Sequence, residues 1–307
     1  MEKGASAPFF MSDIDLKWQS DSERLPLDER HLKLYRLLHK RSKERINAYP
    51  NLVNPSTFND YVNWCKLFDQ CEEAIVACDK ARIREYASLF GMQDHVFEQI
   101  AVTSDLTSID PHRLTYPCVI KCNHDSGSAQ FVSRPNQVSG LHQYFRERIS
   151  HTYGVIGGEW QYSMMKPKII IERNYNPDGK PLPDYKFHCV SGKALFCQHI
   201  TNRGQGTNEI NVDLDGKDLG FLFDENFSKS NSFNKPEQYE EMINIANLLS
   251  KPFKYARIDL YLINDKVFVG EVTLHPRGGY YTGQGQVNIG RMMNFDNMSY
   301  KQPIWKA

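Results

Sequence analysis

A chain of 307 residues is long enough to bury one large core or two modest ones. Apolar residues make up 40% and charged residues 24%, as in an ordinary globular protein. Lys plus Arg balance Asp plus Glu at 37 each, which excludes a global attraction to nucleic acid or an anionic membrane and leaves any anion site to be local.

No stretch reaches the run of about 20 apolar residues that a spanning helix needs. The opening MEKGASAPFFMSDIDLKW lacks the basic and long apolar regions of a signal peptide, and Met11 offers an alternative start. Residues 1–27 read as a tail. The seven cysteines are odd in number and none is spaced CxxC, which argues against a disulfide framework or a zinc site. Reduced thiols and a cytoplasmic protein are the expectation.

The region 28–100 reads as helical. Asp28 to Tyr49 sets Leu32, Leu34, Leu37, Leu38 and Ile46 among basic residues, an amphipathic pattern broken by Pro50 and Pro55. Thr57 caps FNDYVNWCKLF, with its aromatics on one side. Asp79 opens KARIREYASLFG, ended by Gly91. Basic exposed faces on these helices need no explanation beyond solubility. From residue 101 the character changes. PCVIKC and AQFVSR read as strands around a polar turn, 136–153 as a helix, and KIIIERNY as a buried strand before a Pro/Gly/Asp loop. DYKFHCVSG and KALFCQHIT form a hairpin at Ser191-Gly192, 208–222 holds short strands, and PEQYEEMINIANLLS is a helix with Pro near its start. Helices first, then antiparallel hairpins, predict an α+β architecture.

The last hairpin, YARIDLYLINDKVFVGEVTLHPRGG, turns at Asn264-Asp265. Pairing Ile263 with Val267 sets Asp259 opposite Glu271. Ile258, Leu260, Leu262, Phe268 and Val272 then share one face, while Arg257, Asp259, Glu271, Thr273 and His275 share the other. Facing carboxylates repel, so something positive belongs between them. Two readings fit: a hard cation such as Mg²⁺ or Mn²⁺, or Arg257 neutralising both acids on a solvated face.

Other charged positions each carry a pair of readings. Lys121 ends a strand before the small-residue loop Ser126-Gly127-Ser128, as a phosphate cradle does, and as an ordinary hairpin does. Glu172 at a strand end can read a purine or ribose, or sit in solvent. Asp184 and Lys186 share a strand face, either toward a polar cleft or as a surface pair. PRGGYYTG at 276–283 brings backbone amides close to a reacting oxyanion or is a plain connection, and Arg203 reaches a carboxylate or solvent. His188, His199 and His275 lack the spacing of a zinc triad.

The order of these segments resembles the ATP-grasp superfamily, and within it the TupA-like branch linked to teichuronopeptide and capsular polysaccharide synthesis. The resemblance runs from about Phe58 to Tyr280. It rests on FNDYVNWCKLFD, CDKARIREYA, PCVIKCNHDSG, KIIIERNY, DYKFHCVSGKALF and ARIDLYLINDKVFVGEVTLHPRGG. It implies an ATP-grasp fold, with 101–182 as the small subdomain and 183–307 as the large one, behind a helical region where many relatives begin with a Rossmann-like domain. It implies ATP and Mg²⁺ (or Mn²⁺). Lys121, Ser126, Gly127, Ser128, Glu172 and Asp184 would bind the nucleotide. Lys186 would be a second cation near the phosphates. Arg257 would steady the transferred phosphoryl group, and Asp259, Glu271 and Thr273 would ligate the metal. Thr273 stands where the family has asparagine.

The expected activity is an ADP-forming carboxylate–amine ligase acting through an acyl phosphate. It would join an amino acid to a uronic acid, or to another amino acid, with no nucleic-acid partner and no membrane span. A sugar kinase on the same fold and a non-catalytic nucleotide-binding scaffold are the rival readings. A glycosyltransferase lacks its placed D-x-D motif here.

Overall fold

The computed structural model describes residues 12–176, 181–204, 206–295 and 300–304. Residues 1–11 of the expected tail, and 177–180 of the expected Pro/Gly/Asp loop, lie outside the described residues. Within residues 12–27 the helix α1 (Asp13–Ser22) packs on α2 (Glu29–Ile46), where Tyr35 Oη donates to Asp21 at 2.8 Å and Arg36 Nε to Asp15 at 3.0 Å. Asp28 caps α2, and Asn47 closes it at φ 53°. Thr57 caps α3 (Phe58–Phe68) by accepting from Asp60 N at 3.2 Å.

The helix expected to open at Asp79 begins later and is shorter, as α5 (Ile83–Ser88). A helix that the sequence pattern did not separate, α4 (Glu72–Cys78), ends just before Asp79, with a turn between the two. Asp79 makes the turn by accepting from Ala81 N at 2.8 Å, because a short carboxylate competes with helical bonding for nearby amides. α3 departs further from expectation. It has no exposed basic face: all eleven of its residues are buried.

Two sheets follow. The smaller contains β1 (Gln99–Thr103), β2 (Cys118–Cys122), β3 (Gln130–Val132) and β4 (Ile169–Arg173) in the order β1-β4-β2-β3, all antiparallel. α6 (His142–Ser150) covers it, with Phe145 among Ile120, Val132 and Ile171. α6 is shorter than the expected 136–153, because short 3₁₀ turns at Pro135–Gln137 and Ser139–Leu141 replace its start. Pro135 lacks an amide hydrogen to donate and Gly140 weakens a helix. α7 (Trp160–Ser163) leads into β4.

The larger sheet contains β5 (Asp184–Val190), β6 (Lys193–Thr201), β7 (Asn208–Val212), β8 (Ser228–Lys229), β9 (Tyr255–Ile263) and β10 (Lys266–Thr273). Its order is β10-β9-β5-β6-β7-β8, and only β7–β8 is parallel. α8 (Tyr239–Ser250) buries one face against Phe187, Ile258, Leu260 and Val272. α9 (Gly285–Met292) packs on α3.

The β9–β10 hairpin turns where expected, with Asn264 at φ 49° and Asp265 at φ 60°. Its register differs from expectation. Ile263 pairs with Lys266, not Val267, and the register shifts around Gly270. That one-residue bulge brings Asp259 opposite Glu271 after all. It also reverses the parity of the residues before it. Phe268 therefore lies across from Tyr261, on the charged face, and stacks on Phe97 with ring centroids 4.8 Å apart. Val267 and Val269 take the core positions instead. Gly270 is needed at the bulge: a Cβ there would stand 2.4 Å from Tyr261 Cε2.

Candidate active site

The larger sheet presents one polar row across five strands. Glu271 (β10) lies opposite Asp259 (β9), Asp259 opposite Lys186 (β5), Lys186 opposite Gln198 (β6), and Gln198 opposite Asn211 (β7). Alternation puts these side chains on the face away from α8. A cleft of about 660 Å³ opens over this row, and its opposite wall comes from β2 and the loop after it. Of the eleven residues singled out from sequence, Lys121, Ser126, Gly127, Ser128, Asp184, Lys186, Arg257, Asp259, Glu271 and Thr273 line the cleft. Glu172 does not. It is buried on β4, diagonal to Lys121 across β2, and its Oε2 is 2.6 Å from Lys121 Nζ.

The two facing acids are bridged by Arg257. Its Nε donates to Asp259 Oδ1 at 2.6 Å. Its Nη2 donates to Asp259 Oδ2 at 2.8 Å and to Glu271 Oε1 at 3.4 Å. The neutralising arrangement allowed by the sequence is thus how these side chains stand. Lys186 Nζ contacts Asp259 Oδ2 and lies 3.4 Å from Asp184 Oδ1. Arg203 reaches a carboxylate, with its Nε 2.6 Å from Asp184 Oδ2. Tyr261 Oη also donates to Asp184, at 3.0 Å. Thr273 Oγ1 accepts from Arg257 Nη2 at 3.3 Å and donates to Glu271 Oε1 at 3.1 Å.

Sequence reasoning missed Lys80, which lies in the turn after α4. Its Nζ donates to Asp125 O at 2.9 Å and stands 3.3 Å from Glu271 Oε2. Helical periodicity assigned it to a solvated face, and the only sequence signal was the preceding Asp79, which breaks that periodicity. Burial works to raise the Glu271 carboxyl, but Lys80, Arg257 and Lys186 outweigh it and hold it well below the usual carboxylate range.

The loop after β2 is shaped from within. Ser128 Oγ donates to Asp125 Oδ1 at 2.5 Å and accepts from Cys122 N at 2.8 Å. Arg148 holds the other oxygen of Asp125 at 2.8 Å and Ser126 O at 2.7 Å. Gly127 turns the loop at φ 77°, and Ser126 and Gly127 remain exposed.

The segment at 276–283 is gripped by α3 through a polar stripe. Asn59 donates to Tyr281 O at 2.8 Å and accepts from Tyr281 N at 3.0 Å. Asn63 donates to Gly279 O at 3.3 Å, and Lys66 Nζ to Gly278 O at 2.6 Å and Gly157 O at 2.7 Å. A Cβ on Gly279 would approach Val62 Cγ1 to 2.8 Å. Positions 59, 63 and 66 share one helix face, which is why a fully buried helix carries polar residues.

Among the described residues, no cluster of three His, Cys, Asp or Glu side chains is arranged to hold a metal, and no helix is long and apolar enough to cross a membrane. His188 is buried and satisfied, with Tyr255 Oη 2.9 Å from its Nδ1. All seven cysteines are free.

A family model described as TupA-like ATPgrasp matches residues 60–288. No curated protein matches the chain. Among solved structures, an L-amino acid ligase from Bacillus licheniformis aligns at 14% identity and a TM-score of 0.48, covering 94% of this chain and 62% of its own. A D-alanine–D-alanine ligase from Bacillus anthracis aligns at 16% identity and a TM-score of 0.40, covering 65% of this chain and 57% of its own. An N5-carboxyaminoimidazole synthase from Aspergillus clavatus, in complex with ADP and a ribonucleotide, aligns at 6% identity and a TM-score of 0.45, covering 76% of this chain and 56% of its own. The chain thus spans about three-fifths of the length of these proteins.

Proposed function

The chain belongs to the TupA-like ATP-grasp family, and on that premise we propose that it is an ATP-dependent carboxylate–amine ligase. It forms an amide through an acyl phosphate and attaches an amino acid to a uronic acid in cell-surface polysaccharide synthesis. The observation that carries this reading is the convergence of Lys80, Lys121, Lys186 and Arg257 with Asp259 and Glu271 on one cleft. A nucleoside triphosphate needs such a set of cations around its phosphates.

Lys121 and the exposed amides near Ser126 and Gly127 receive the phosphates, while Ser128 and Asp125 hold the loop in shape. Glu172, outside the cleft lining, orients Lys121. Asp184 positions Lys186 from the side. Asp259, Glu271 and Thr273 would hold magnesium or manganese. The donors fit, being two carboxylates and a hydroxyl, all oxygen, with Glu271 kept ionised by its neighbours. When bound, that ion neutralises charge on the transferring phosphoryl group. Arg257 already bridges the same two acids, so its guanidinium and a divalent ion share donors, and Arg257 serves the phosphoryl and acyl oxygens when it turns from them. Thr273 offers a single hydroxyl oxygen where the family has an amide.

The test is ADP release by the purified chain, measured across uronic acids crossed with amino acids, with and without Mg²⁺. Release that needs both substrates and the metal, with a hydroxamate formed when hydroxylamine replaces the amine, supports the ligase. A stable phosphosugar without amide overturns it.

A further inference from the structure

A second cavity, also about 660 Å³, adjoins the first; Tyr153, Glu159, Arg277 and Gly278 line both. That size lies within the roughly 300–1,000 Å³ of small-molecule sites. Its far wall comes from α2. Arg41 and Arg45, one helical turn apart, line the second cavity and not the first. Arg41 is anchored, donating from Nε to Ile156 O at 3.0 Å and from Nη1 to Glu44 Oε2 at 2.8 Å. Arg45 is exposed and has no ion pair or hydrogen bond among the described residues.

The shared wall carries the acid Glu159 beside Arg277, whose guanidinium is already paired with Asp224. Among the described residues the Glu159 carboxylate makes no hydrogen bond or ion pair. Burial raises it, and the charge of Lys66 opposes that rise. Lys66 cannot close on it freely, because its ammonium is committed to Gly157 O and Gly278 O. The Tyr280 hydroxyl, on the same cavity wall, is buried without a partner. Tyr280 Oη and Glu159 are thus polar groups left for a ligand to satisfy.

An acid at the mouth toward the cleft and two arginines at the far wall complement a zwitterion. We propose that the second cavity is the amine subsite: it takes a free amino acid, with its ammonium group against Glu159 and its carboxylate against Arg41 and Arg45. Arginine forks suit a carboxylate. This assignment rests on the ligase reading and gives its amine donor a place in the fold. The carboxylate of the amino acid is turned away from the cleft, so the amino acid enters as the nucleophile and its own carboxylate is not the one activated.

The test is calorimetric titration of the full chain with each of the twenty L-amino acids, with and without saturating ADP. The expected result is binding of at least one. Its amide and its 2-hydroxy analogue should bind at least tenfold more weakly. Arg45→Ala and Glu159→Gln should each weaken it at least tenfold, and Arg45→Ala, whose residue lies outside the nucleotide cleft, should leave ADP affinity within twofold. Should Glu159→Gln fail to fold, Arg45→Ala, on an exposed helix face, decides alone. Binding of ADP with no amino acid bound, or amino-acid binding indifferent to Arg45→Ala, overturns the subsite. Arg45-dependent binding of an amino acid by a chain that binds no ADP removes the ligase reading and keeps the subsite.

Discussion

Lys80 Nζ stands 3.3 Å from Glu271 Oε2, so a lysine from the turn after α4 completes the charge pattern of a strand nearly two hundred residues later. Burial works to raise the Glu271 carboxyl, and with Arg257 and Lys186 this lysine outweighs it and keeps the group below the usual carboxylate range.

This gives stability a pH dependence of defined sign. A carboxyl lowered in the folded state contributes stability above its unfolded value of about 4.3 and loses it as pH falls further. Thermal melts from pH 7 to pH 3 should show the native chain losing stability below about pH 4.3. Glu271→Gln should flatten that part of the curve. Equal slopes for both proteins refute the assignment.

Asp259 is 1% exposed and answers both Lys186 and Arg257. Asp259→Asn leaves a buried lysine and a partly buried arginine short of a counter-charge. Urea unfolding should reveal a loss on the order of 3–5 kcal/mol, accompanied by loss of ADP release. A variant of native stability would show that solvent already screens these charges.

Lys121→Ala should raise the KM for ATP about tenfold, near 1.4 kcal/mol of lost binding, with little effect on kcat. An unchanged KM removes Lys121 from the nucleotide site.

Thr273→Asn places an amide oxygen at the proposed third donor position. Titration of Mg²⁺ in the ADP-release assay should give half-maximal activity at lower metal concentration, whereas Thr273→Val should require more. Identical titration curves for all three proteins exclude Thr273 as a donor.

Gly270→Ala forces Tyr261 aside, since the new methyl would stand 2.4 Å from its ring. Tyr261 then loses its bond to Asp184. Denaturant unfolding should show a cost of about 1–3 kcal/mol. A neutral substitution would mean that the bulge relaxes without moving the ring.

Local pattern determined much of this protein. Period-two alternation set Arg257, Asp259, Glu271 and Thr273 on one face, and Asn264-Asp265 fixed the turn between them. Thr57 marked a helix start because its side chain caps an amide three residues away. These features depend on neighbours in the chain, so the chain displays them. The bulge at Gly270 stayed hidden, because its cause is the ring of Tyr261 on the partner strand. So did the place of Lys80, of the Asn59-Asn63-Lys66 stripe, and of Arg41 and Arg45 beside Glu159. Each acquires its role from groups far away in sequence. A basic or polar side chain on a helix looks the same to its neighbours whether it faces water or a distant carbonyl, and only the packed fold decides which.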